Sequence, residues 1–167
     1  IDGSAIAVDH PFNDGRFYQS AVIQHDPSDH RSVNRRQRGQ PVESAGTDNA
    51  LYRLGEHMVV RLPRIHWAVG QIDTERQWLP RLAPHLPLAI PVQLAKGKPG
   101  EGYPWHWSVY RWMEGENASI DRIADPNQAA IDLARFLTAL RQIDTSGGPP
   151  PGAHELARGK PLAMRDT

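Results

Sequence analysis

The sequence predicts an α+β fold: a five-stranded antiparallel sheet with one helix across it, followed by the first helix of an incomplete second lobe. Three observations carry that expectation. Short apolar runs separated by turn formers fill residues 41 to 112, a helix-spaced stretch interrupts them after the third run, and an amphipathic stripe follows beyond residue 128. At 167 residues the chain suits one domain or a piece of a larger one.

Each element has its own signal. Pro41 to Ala45 reads as the first strand, Gly46-Thr47-Asp48-Asn49 as a turn whose residues tolerate left-handed φ, and Ala50 to Leu54 as the second strand. Gly55-Glu56-His57 turns the chain into Met58 to Leu62, the third strand, which Pro63 closes. Trp67 to Leu82 places Val69, Ile72, Leu79 and Leu82 on one helix face, and Pro80 limits or kinks that helix near its end. Ile90 to Leu94 is the fourth strand, Lys96 to Gly100 a turn, and Trp105 to Trp112 the fifth strand. Alternation sets Trp105, Trp107 and Val109 on one face of it, with His106, Ser108 and Tyr110 opposite. These rings read as sheet core rather than as a base-stacking platform, because no basic groove accompanies them. Ala129 to Ile143 then aligns Ile131, Ala134, Leu137 and Leu140 beside Leu133 and Phe136, and the Gly/Pro-rich stretch from Ser146 to Gly152 ends the helix.

Three segments result: an irregular leader at 1–40, the sheet and its helix at 41–115, and the start of a helical second lobe at 116–167. The leader holds turn formers and only brief apolar runs at Phe17-Tyr18 and Ala21-Val22-Ile23. Arg31, Arg35, Arg36 and Arg38 near its end read as a solvated linker rather than a nucleic-acid patch, since no aromatic residue is interleaved. The start at Ile1 and the stop at Thr167 suggest a fragment.

Composition excludes several functions. Lysine plus arginine number 19 and aspartate plus glutamate 19, so net charge gives no pull toward nucleic acid or an anionic membrane. The absence of cysteine removes disulfides, thiolate zinc sites and cysteine nucleophiles. No apolar stretch reaches the roughly 18 residues of a membrane span, and no signal-peptide pattern opens the chain, so the expected location is cytoplasmic. His25 and His30, with Asp26 and Asp29 between them, lack metal-ligand spacing, and no metal site is expected in this chain.

One spacing bears on chemistry. Arg61 falls at the end of the third strand and Glu75 fourteen residues later, inside the helix expected to cross the sheet. A strand cation bridged to a helix carboxylate is how kinase-type lobes hold positive charge over nucleotide phosphates. On spacing alone, a surface arginine and an unrelated helix glutamate fit equally well.

The blocks Val42 to Asn49, Val59 to Arg64, Glu75 to Leu82 and Pro104 to Glu116, extended by Gly147 to Gly152, Arg158-Gly159 and Pro161-Leu162, together resemble the aminoglycoside phosphotransferase family. These are small-molecule kinases with a protein-kinase-like fold, and the resemblance covers their N-terminal lobe and first C-lobe helix. It implies that Arg61 stands where the family often has lysine, with Glu75 as its partner. It also implies that backbone N–H groups of Gly46, Thr47, Asp48 and Asn49 lie above the phosphates, and that Tyr110, Arg111, Trp112 and Met113 form a hinge against the base. ATP or GTP with Mg2+ is the implied cofactor and a small-molecule alcohol the implied acceptor.

The family's catalytic loop, His-Gly-Asp with an asparagine five residues on, is absent from the 167 residues, as is its Ile-Asp-[Phe/Trp]-Gly motif. Ile143-Asp144-Thr145 is the nearest look-alike and carries no catalytic role. Catalytic residues and Mg2+ ligands are therefore expected in a missing C-lobe, and the chain is expected to be inactive alone. The competing expectation is a truncated, non-catalytic binding module or a remnant without function.

Overall fold

The computed structural model describes residues 4–6, 10–11, 17–18, 21–23, 39–43, 46–100 and 102–148. Among the described residues there are nine strands: β1 (Ser4–Ile6), β2 (His10–Pro11), β3 (Phe17–Tyr18), β4 (Ala21–Ile23), β5 (Gln40–Pro41), β6 (Asn49–Leu54), β7 (Met58–Pro63), β8 (Gln93–Gly97) and β9 (Trp107–Arg111). Two α-helices, α1 (Gln71–Leu82) and α2 (Pro126–Arg141), accompany them, with short 3-10 turns on either side of α1. The expected five strands form the antiparallel order β8-β9-β7-β6-β5, followed and crossed by helices as the α+β reading requires.

The sheet is wider than the sequence suggests. β4 joins the outer edge of β8 through Ile23 and Gly97, and β1 pairs with β4, while β2 and β3 form a separate ribbon. Residues read as an irregular leader thus contain four strands of two or three residues. Their turn formers hide the signal, and an edge strand with unpaired backbone groups accepts any short extended run laid beside it. The four leader arginines, His25, His30, Ser44, Ala45 and residues 149–167 lie outside the described residues.

Strand alternation divides the sheet into two faces. Ala50, Tyr52, Leu54, Val60, Leu62, Trp107 and Val109 point to one side and, with Tyr103, form the buried core. Each large side chain buried this way contributes about 2 kcal/mol of hydrophobic stabilisation. Trp105 packs at the edge of this cluster, and the Tyr103 hydroxyl closes it by donating to Pro63 O at 2.8 Å. The opposite face carries Leu51, Arg53, Val59, Arg61, Ser108 and Tyr110, as their cross-strand pairing dictates. Helix α1 reaches this second face, and its Ile72 is buried there beside Ala68 of the preceding turn.

Several bounds differ from those expected: the first strand is Gln40–Pro41 rather than 41–45, the fourth starts at Gln93 rather than Ile90, the fifth is Trp107–Arg111, and α1 starts at Gln71 rather than Trp67 while ending at Leu82 as expected. β8 runs to Gly97, through residues read as a turn, because a glycine alone lets the strand pass the Trp107 ring; a Cβ there would lie 1.8 Å from Trp107 Cε2. Pro80 sits inside α1, which continues two residues beyond it before tightening into a 3-10 turn at Ala83–His85. α2 begins three residues earlier than its apolar stripe, where the Asp125 carboxylate accepts from Gln128 N at 3.0 Å and Pro126 opens the first turn. No residue of α2 is buried. No helix among the described residues is long and apolar enough to cross a membrane.

Candidate functional site

The site grows from register. β7 lies between β6 and β9, so Arg61 is flanked by Leu51 on one side and Ser108 on the other, pointing away from the core. Its side chain, 22% exposed, reaches α1. There Nη1 donates to both oxygens of Glu75, each at 2.8 Å, and Nη2 donates to Gln71 Oε1 at 2.9 Å. Gln71 and Glu75 are one helical turn apart and present the same face. With its amide oxygen turned inward, Asn49 accepts from Arg61 Nε at 3.3 Å and Nη2 at 3.2 Å. Every nitrogen of the guanidinium thus has a protein partner, the Asn49 contacts being the longest.

Glu75 is held from a second direction, since the Tyr110 hydroxyl donates to its Oε2. Burial, reinforced by this bond to a carboxylate, pushes the Tyr110 phenol from its usual 10.0 up to about 12. A hydroxyl that never ionises in the ordinary range is a permanent donor, and it keeps Glu75 turned toward Arg61. A further tie, Lys96 Nζ to both oxygens of Asp73 at 2.6 and 2.8 Å, fastens α1 to β8.

The remaining expected residues fall into two groups. Thr47 Oγ1 donates to Asp48 Oδ1 at 3.0 Å, and Asp48 O accepts from Arg64 N at 2.8 Å, so the 46–49 turn is tied to the end of β7. A cavity of about 230 Å3 lies behind it, bounded by Val42, Gly46, Asn49, Leu51 and Arg64. A larger cleft of about 540 Å3 opens between the C-terminal ends of α1 and α2, lined by Trp78, Arg81, His85 and Asp144 among others, and contains none of the expected site residues. In the expected hinge, Tyr110 pairs within the sheet, Arg111 N donates to Val92 O at 2.9 Å and Trp112 N to His57 O at 2.7 Å. Met113, 44% exposed, is the first hinge residue with no backbone partner among the described residues.

Gln71, the Asn49 side chain and the Tyr110 hydroxyl escape a reading by sequence. Gln71 has a legible signal, its i,i+4 spacing to Glu75; the other two depend on sheet register. Asp144, the look-alike, is a turn residue whose exposed carboxylate accepts from Ser146 N at 2.9 Å, and that serine's side chain and backbone hold it below the usual carboxylate range.

Residues 40–166 match the model of a family described as the phosphotransferase enzyme family. No curated protein matches the chain significantly. Among solved structures, the GDP complex of wild-type aminoglycoside 2'-phosphotransferase-IIIa is 23% identical with a TM-score of 0.57, over 66% of this chain and 40% of that one. The GDP complex of a point mutant of the same enzyme gives 21% and 0.56, over 73% of this chain and 45% of that one. A GDP and kanamycin complex of an APH(2") enzyme gives 23% and 0.54, over 62% and 36%. The chain therefore spans less than half the length of these structures, and at such identities they establish a shared fold.

Proposed function

The chain belongs to the phosphotransferase enzyme family, and from that premise we propose that it is the nucleotide-holding part of an ATP- or GTP-dependent enzyme that phosphorylates a hydroxyl of a small molecule. One observation carries the reading: a strand guanidinium is clasped by both oxygens of a helix carboxylate on the sheet face opposite the core. The GDP complexes of the solved relatives, and the kanamycin in one of them, support a purine nucleotide as donor and an aminoglycoside-type alcohol as acceptor.

The residues fit such a ligand. A nucleoside triphosphate supplies an activated terminal phosphoryl group and a planar base. Arg61 holds phosphate oxygens by exchanging its longest bonds, those to Asn49, while Glu75 and Tyr110 keep it aimed. Leu51 and Val59, half-buried on the same face, cover the base ring, and Met113 N–H reads its edge. Backbone N–H groups of the 46–49 turn add to the phosphate site. Mg2+ is ordinarily held by one or two carboxylates together with the nucleotide phosphates, and by the family resemblance those carboxylates belong to the catalytic-loop motifs that these 167 residues do not contain. Lacking the catalytic-loop pattern, these 167 residues bind without transferring.

Arg61→Ala tests the assignment by titration calorimetry with ATP and GTP. Binding is expected to vanish, and Arg61→Lys to retain part of it as a point charge. Affinity unchanged in Arg61→Ala defeats the reading. A second reading, a non-catalytic interaction module, is favoured by the uncovered apolar stripe of α2 and predicts self-association without nucleotide binding.

A further inference from the structure

We propose that Arg53 is a positioning residue that fixes the hinge for the nucleotide base, an inference that rests on the nucleotide reading above. Arg53 points to the face of β6 away from the core, paired across the hairpin with Val59, and two separate pieces of chain meet on its guanidinium. Nε donates to Gly55 O at 3.3 Å and Nη2 to Glu56 O at 2.9 Å, both in the turn between β6 and β7. Nη2 also donates to Glu114 Oε1 at 3.1 Å, and Cζ lies 4.2 Å from the centroid of the Trp112 ring.

The partners on one side belong to a single hairpin turn and those on the other flank Met113. The Trp112 N–H bond to His57 O runs parallel to them, so turn and hinge are stitched together by backbone and by one side chain. Trp112 has no other polar anchor: its Nε1 is buried without a partner among the described residues. The cation over the ring face is what holds the indole in place. Glu114 is 78% exposed and its ion pair is screened, so the ring and the two carbonyls dominate the clasp. Loss of Arg53 frees the Trp112 side chain and with it the orientation of the adjacent Met113 N–H. Arg61 and the phosphate subsite share none of these contacts.

That separation gives the test. The full 167-residue chain, Arg53→Ala and Arg53→Lys are titrated with ATP, GTP and inorganic tripolyphosphate. Nucleoside triphosphate affinity is expected to fall about tenfold in Arg53→Ala, the equivalent of one lost interaction of about 1.4 kcal/mol, with tripolyphosphate affinity unchanged. Arg53→Lys keeps the stem and charge, and hence the fold, but one ammonium cannot serve ring, carboxylate and two carbonyls together; it is expected to lose at least about threefold on nucleotides alone. Equal losses on all three ligands, or no loss on the nucleotides, overturn the proposal. If the unsubstituted chain binds neither nucleotides nor tripolyphosphate, the nucleotide reading itself falls and takes this inference with it.

Discussion

Tyr110 joins two kinds of demand in one side chain: its ring is sheet interior, while its hydroxyl serves a carboxylate in the candidate site. Because the fold favours the neutral phenol, the folded chain keeps this proton to higher pH than the unfolded chain does. The contribution is complete below the usual pKa of 10.0 and is lost as pH rises through about 12. Burial also raises Tyr103 and Tyr52. Thermal midpoints are therefore expected to hold steady up to about pH 9 and fall between about 10 and 12. Tyr110→Phe is expected to flatten part of that decline. A midpoint indifferent to alkali in the parent chain contradicts the burial described for all three rings.

At the scale of elements, β8 passes Trp107 only because residue 97 lacks a side chain. Gly97→Ala drives a methyl into the indole, and an overpacked core costs about 1–3 kcal/mol or more. The expected outcome is a midpoint lowered by several degrees in a melt followed by near-ultraviolet dichroism, with the loss visible at Trp107. The same glycine shows where sequence reading stops. Lys96-Gly97-Lys98-Pro99-Gly100 has the composition of a turn, and only the tertiary position of Trp107, ten residues on, makes the first two of these residues strand. β6, β7 and β9 were legible because each alternates against one buried core, whereas the Arg61–Glu75 pair was legible only through the family blocks, spacing alone leaving an unrelated pair equally good. The start of α2 was missed, because the apolar stripe begins only at Ala129 while the Asp125-Pro126 capping signal lies before it. The network around the Arg61–Glu75 pair was not legible either, since Asn49 and Tyr110 meet Arg61 and Glu75 only through the order β9-β7-β6, which no local pattern encodes.

Across the whole molecule, apolar burial is uneven. The sheet encloses its core, whereas Ile131, Leu133, Leu137 and Leu140 on α2 are between 37% and 54% exposed. An uncovered stripe of this kind seeks a partner surface. Sedimentation velocity is expected to show association that grows with concentration, and Leu137→Glu to shift the distribution toward monomer. A parent chain that stays monomeric throughout removes the interaction-module reading. The hairpin of β6 and β7 has a different consequence, in time rather than space. Its six cross-strand pairs close over a three-residue turn in which Gly55 adopts φ 62°, so it forms from neighbours in the chain on the scale of microseconds. β9 adds to β7 only after a loop of more than forty residues, α1 included, has been gathered in, which is a slower search against chain entropy. Arg53 then waits on the finished hairpin for Trp112 to arrive, and Arg61 for Glu75, so the hairpin serves as the template on which both halves of the candidate site assemble during folding.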